Sequence, residues 1–137
     1  MKSFKMRFLL FTICFLISII SISQNIVNVK DLKPDQEYDN ILVKKLDTDS
    51  NSTSFIIWVK KGVKAHKHEN HSEVLYVLSG EGKMTIGDST SIIKTGDYFR
   101  IPNNTFHSLE VTSKEAIKVI SVQAPEFFGK DRIFKED

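Results

Sequence analysis

The chain has one cysteine among its 137 residues, Cys14, and it lies inside the long apolar run from Phe8 to Ile20. No segment shows a sustained helical period, which excludes a helical bundle and the alternating βαβ pattern. There is no glycine-rich phosphate loop and no Gly-x-Ser-x-Gly elbow, so nucleotide cradling and that type of serine hydrolysis are set aside. Helix-turn-helix signals, internal repeats and low-complexity tracts are also missing.

The apolar run has a specific setting. Lys2, Lys5 and Arg7 precede it, and Ser21-Ile22-Ser23-Gln24 follows, with small residues at the −3 and −1 positions of a cut after Ser23. A basic start, an apolar middle and a small-residue site describe a cleavable export signal of helical type over residues 1–23. The run is short of the roughly 20 residues a spanning helix needs. An uncleaved membrane anchor is the minor alternative. A lipidated Cys14 is disfavoured, because Ile13 rather than a small residue precedes it. The expected location is periplasmic or extracellular, with no membrane contact once the signal is removed.

Removal of the signal changes the chemistry available. The remainder has no cysteine, hence no disulfide and no thiol ligand or nucleophile. Taking Lys2, Lys5 and Arg7 from the 19 basic residues leaves 16 against 17 acidic ones, a formal charge of −1. No electrostatic footprint for nucleic acid remains.

Residues 24–39 read as an N-terminal arm, 40–123 as a β-domain and 124–137 as a C-terminal tail. Within the β-domain, 40–46, 54–62, 73–80, 82–87, 90–96, 97–102, 107–112 and 116–123 are short runs rich in β-branched and aromatic residues. Gly, Asp, Ser, Asn or Pro separates them every eight to twelve residues. That spacing predicts an all-β sandwich or barrel. Ser79-Gly80-Glu81-Gly82 reads as a hairpin turn, and residues 47–54 as a polar hairpin connection. The tail "PEFFGKDRIFKED" reads as a turn of helix or an irregular strap, able to cap a barrel end or to pack on a partner subunit.

What the chain does have is a histidine cluster. His66 and His68 are two apart, so on a strand they share a face, with Lys67 opposed. Glu73 opens the next apolar run, with Leu75 and Val77 on its face. His107 follows His68 by 39 residues at the start of a later strand. In an antiparallel barrel such distant strands can be neighbours, and three imidazoles and a carboxylate would converge. That donor set suits a divalent transition metal: Fe, Mn, Zn, Ni or Cu. His71, in the loop between His68 and Glu73, reads as a solvated residue that could substitute as a ligand if the loop register differed. Glu69 competes with Glu73 in principle but precedes the strand, so Glu73 is preferred, and Glu81 reads as exposed.

These residues resemble the two conserved motifs of the cupin superfamily. Gly62, His66-x-His68, Glu73 and Gly80 are similar to the first motif, and Gly96-Asp97, Pro102 and His107 to the second, with fifteen residues between Gly80 and Gly96. Asn104 stands where the second motif usually has glycine, and Val111 where it often has asparagine. Asn tolerates the left-handed backbone, so the turn before His107 is expected to survive. The resemblance implies a double-stranded β-helix, or jelly roll. It also implies a metal held by His66, His68, Glu73 and His107, with two positions of an octahedral ion left open. Glu73 would be the general base, Met84 and Phe99 pocket-wall residues, and a homodimer the default assembly.

Two enzyme chemistries fit such a site: a dioxygenase, or a sugar or hydroxy-acid isomerase or lyase. A small-molecule or carbohydrate-binding module without catalysis, and a barrel merely stapled by its metal, are the alternatives.

Overall fold

The computed structural model describes residues 26–136. The signal read over residues 1–23 lies outside the described residues. Among those that are described there is no helix, and ten strands form two five-stranded antiparallel sheets. In chain order the strands are β1 (Ile41–Thr48), β2 (Thr53–Val59), β3 (Gly62–His68), β4 (Ser72–Ser79), β5 (Glu81–Ile86), β6 (Ser89–Lys94), β7 (Tyr98–Ile101), β8 (His107–Val111), β9 (Ile117–Ala124) and β10 (Arg132–Phe134). One sheet has the order β1-β2-β9-β4-β7 and the other β10-β3-β8-β5-β6.

Alternation along the strands explains the layering. Leu75 and Val77 of β4, Ile117 and Val119 of β9, Ile101 of β7, Met84 of β5 and Ile93 of β6 turn inward and pack between the sheets. In β2 and β9 the opposite face is buried as well, which is why "FIIWV" reads as a continuous apolar run. Ile56 and Trp58 pack outward with Leu42 beneath the arm residues Val29, Leu32 and Tyr38. Lys118 fastens that arm. Its ammonium donates to the carbonyls of Val29 at 2.7 Å, Lys30 at 3.1 Å and Leu32 at 2.7 Å.

Three readings of the chain change at this level. Residues 54–62 do not form one strand: β2 stops at Val59, and Gly62 begins β3 in the other sheet. Gly62 is required there, because a Cβ would lie 2.4 Å from the Leu109 carbonyl oxygen. The Gly80 turn is not a hairpin either. It carries the chain from β4 in one sheet to β5 in the other, with φ +85° and Ile117 Cα within 2.7 Å of any added Cβ. Turn chemistry signals a reversal but not the partner on its far side. Finally, the tail is no helix. Its segment Arg132–Phe134 adds an edge strand to β3, with Arg132 opposite His68 and Phe134 opposite His66.

Candidate metal centre

The register of the sheets assembles the centre. β3 and β8 pair with His66 opposite His107, and β3 alternation brings His68 to the same inner face. On the facing sheet, Glu73 at the start of β4 lies between Ile101 of β7 and Gln123 of β9. All four side chains are buried. One nitrogen from each of His66, His68 and His107 lies within 4.8 Å of the others. The Glu73 Oε2 atom stands 3.7 Å from His107 Nε2 and 4.0 Å from His68 Nε2. Those separations exceed hydrogen-bond length.

What stands behind each ring fixes its tautomer. His66 Nδ1 is 2.8 Å from the Lys64 carbonyl and His107 Nδ1 is 3.0 Å from the Thr105 carbonyl. A carbonyl can only accept, so each Nδ1 carries the hydrogen and each neutral ring turns a bare Nε2 lone pair toward the centre. His68 Nδ1 faces the Asp131 carboxylate at 3.2 Å. Its Nε2 is buried with no hydrogen-bond partner. A buried orphan nitrogen is costly unless something occupies its lone pair. Three convergent lone pairs beside a carboxylate are a donor set that fits a divalent metal.

Electrostatics point the same way. Burial drives the His66 pKa down to about 4, against the Lys64 hydrogen bond, with His107, Arg132 and His68 adding to the fall. Burial also lowers His107, although the Thr105 carbonyl and the Glu73 charge work against it. Both rings are neutral at physiological pH, the form a metal requires. Glu73 is oriented by β9: its Oε1 accepts from Ser121 Oγ at 2.5 Å and from Gln123 Nε2 at 3.4 Å.

Two residues differ from the sequence reading or escaped it. His71 is not solvated but 6% exposed. Its Nδ1–H donates to Asp131 Oδ2 and its Nε2–H to the Glu126 carbonyl at 2.7 Å. Burial opposes a charged ring there, yet the Glu126 and Asp131 acceptors outweigh it and raise the pKa, favouring the protonated form of His71. Asp131 was invisible in the sequence. It accepts from His68, His71 and the Asn70 backbone N–H at 3.2 Å, and these bonds overcome burial to lower its pKa. The signal available was the acid of "GKDRIF", in a tail with no strand periodicity to place it. Glu69 and Glu81 are exposed. Asn104 adopts φ 55°, and its N–H donates to the His68 carbonyl at 2.6 Å. The left-handed turn expected in place of glycine thus braces β3.

A cavity of about 70 Å³ adjoins the centre, lined by His66, Glu73 and His107 together with Leu75, Met84 and Phe99. Both Met84 and Phe99, expected at the pocket wall, line it. Its size suits a few water molecules or a small ligand group.

The Cupin domain family matches residues 54–123, which span β2 to β9. The chain is a cupin. Mannose-1-phosphate guanylyltransferase RfbM of Salmonella typhimurium is 33% identical over 92 residues, covering 66% of this cupin but only 19% of the enzyme. The cupin is similar over more of its relative's length to the pectin degradation protein KdgF of Dickeya dadantii. That match is 27% identical, covering 72% of this chain and 91% of KdgF. Among solved structures, a double-stranded β-helix protein from Klebsiella pneumoniae matches with a TM-score of 0.69 at 18% identity, over 84% of this chain and 100% of that one. The likeness establishes the jelly-roll fold. With it stands a cluster of three buried histidines that could hold a metal ion.

Proposed function

We propose that this cupin is an exported, metal-dependent enzyme that moves protons on a small oxygenated molecule, as in isomerisation or elimination, at His66, His68, Glu73 and His107. The observation that supports the metal most directly is the partnerless buried Nε2 of His68. Export rests on the pattern of residues 1–23. Bound there, a divalent ion would supply Lewis acidity toward a substrate oxygen.

The chain's own residues supply the rest. Lys64, Thr105 and Asp131 hold the three rings by their Nδ1 hydrogens. Ser121 and Gln123 hold Oε1 of Glu73, so Oε2 is the oxygen left to take and return a proton. Leu75, Met84 and Phe99 exclude bulk water and restrict what can approach. Glu73 is therefore assigned as a ligand that would loosen from the ion for its Oε2 to act as the general base.

Elemental analysis of the full chain, beside His66→Ala and His107→Ala, tests the centre. The expected result is about one equivalent of metal in the wild type and little in either variant. Folded wild type that holds no metal and cannot be loaded would overturn the assignment.

A further inference from the structure

Arg132 is the one cation that the tail brings to the mouth of the metal cavity. β10 pairs with β3 so that Arg132 stands directly opposite His68, and paired residues share a face of the sheet. Its side chain lines the cavity with His66, Glu73 and His107. It also lines a wider recess of about 300 Å³ that opens outward between Val43, Phe55, Ile57 and Phe127. The guanidinium is close enough to the rings to disfavour protons on His66 and His107. Among the described residues it forms no ion pair, although the acid Asp131 is its neighbour in sequence. That carboxylate is turned the other way, onto His68 and His71.

Position and freedom together are informative. The strand ladder holds the backbone of Arg132, and Asp131, the residue before it, accepts from the Asn70 N–H. A guanidinium whose backbone is anchored at the rim, with no hydrogen-bond or ion-pair partner among the described residues, is suited to a planar oxyanion in bidentate contact. The charge count agrees. A divalent ion with Glu73 as its single carboxylate leaves one net positive charge in the centre, and Arg132 adds another at its rim. The walls between are apolar. An anion entering that space would be attracted from both ends, whereas a cation or a neutral ligand would leave the guanidinium unanswered.

We propose that the substrate is a small organic carboxylate, bound with its carboxylate on Arg132 and a neighbouring oxygen toward the centre, its carbon body passing from the wide recess into the narrow cavity. This rests on the metal-centre reading above and narrows it to an acid.

Lactate and its neutral counterpart lactamide are the probes, with the full chain loaded with Co²⁺. Co²⁺ uptake is measured first, and binding is then followed by calorimetry and by the visible absorption of the ion. Lactate is expected to bind at least ten-fold more tightly than lactamide and to perturb the absorption. Arg132→Gln should load Co²⁺ normally yet lose ten-fold or more in lactate affinity, with lactamide unchanged, and Arg132→Lys should recover part of the loss. Equal lactate affinity in the wild type and Arg132→Gln, or no preference for lactate over lactamide, would overturn the carboxylate assignment while leaving the metal centre intact. Wild type that takes up no Co²⁺ would overturn both readings at the first step.

Discussion

The two sheets of this barrel are built to different standards of burial. In the sheet β1-β2-β9-β4-β7 the strands β2 and β9 are covered on both faces, by the core within and by a second cluster that includes the N-terminal arm outside. In the sheet β10-β3-β8-β5-β6 the outer face carries Lys64, Lys83, Ile92 and Glu110 in contact with solvent. The three imidazoles come from the one-sided sheet, whereas Glu73 and the groups that orient it, Ser121 and Gln123, come from the two-sided one. In the two-sided sheet the buried carboxylate is satisfied from a neighbouring strand, by Ser121 and Gln123 of β9. A singly covered sheet must hold its rings by what its own turns and edges provide, namely the carbonyls of Lys64 and Thr105 and the carboxylate of Asp131.

The comparison can be broken most severely at Ile56, which is fully buried between β2 and the arm. Ile56→Ala should cost about 2–5 kcal/mol in urea unfolding. Ile133→Ala, on the outer face of edge strand β10, should stay within about 0.5 kcal/mol. Similar losses at the two positions would refute the difference between the sheets.

Acid is the next lever, applied to metal-free protein. Burial, the largest influence, holds His66 neutral down to about pH 4, whereas an unfolded histidine titrates near 6.5. Between those values the unfolded chain binds more protons than the folded one. Stability must therefore fall as the pH falls, by up to about 1.4 kcal/mol per pH unit for this group, with the contribution fully present above about 6.5. His71, whose pKa is raised, works in the opposite sense, so the ring itself is followed by NMR: a His66 imidazole that protonates above about pH 6 would contradict the buried, neutral assignment.

A smaller effect is expected at Asp131, measured with metal. Asp131→Asn leaves the inner donors untouched but weakens the acceptor behind His68 and removes the charge facing His71. Metal affinity in competition with a chelator should drop roughly 10- to 100-fold. Unaltered affinity would show that the Lys64 and Thr105 carbonyls alone suffice to hold the centre.

The sequence carried some of this plainly and some not at all. His66 and His68 at a spacing of two, with Glu73 opening an alternating run, were legible because period and burial coincide on β3 and β4. The asparagine at 104 was legible for the opposite reason, since backbone strain restricts what can stand there. The Gly80 corner was misread because a glycine turn does not reveal whether the next strand pairs with the last. His71 looked like an ordinary loop residue, and its burial depends on an acid 60 residues away. Arg132 and Asp131 lay in a tail too short and irregular for any periodic signal. A three-residue strand is placed by its neighbour, not by its own composition.

The β10 strap also bears on time. Asp131 lies 63 residues beyond His68, and Lys118 reaches back 89 residues to Val29. Contacts of that reach require large loops to close before any energy is returned, and folds dominated by them form slowly. During synthesis His66, His68 and Glu73 emerge well before the acid that steadies one of them. An ion arriving early would meet a half-made nest, so firm capture belongs to the end of folding and not to its beginning.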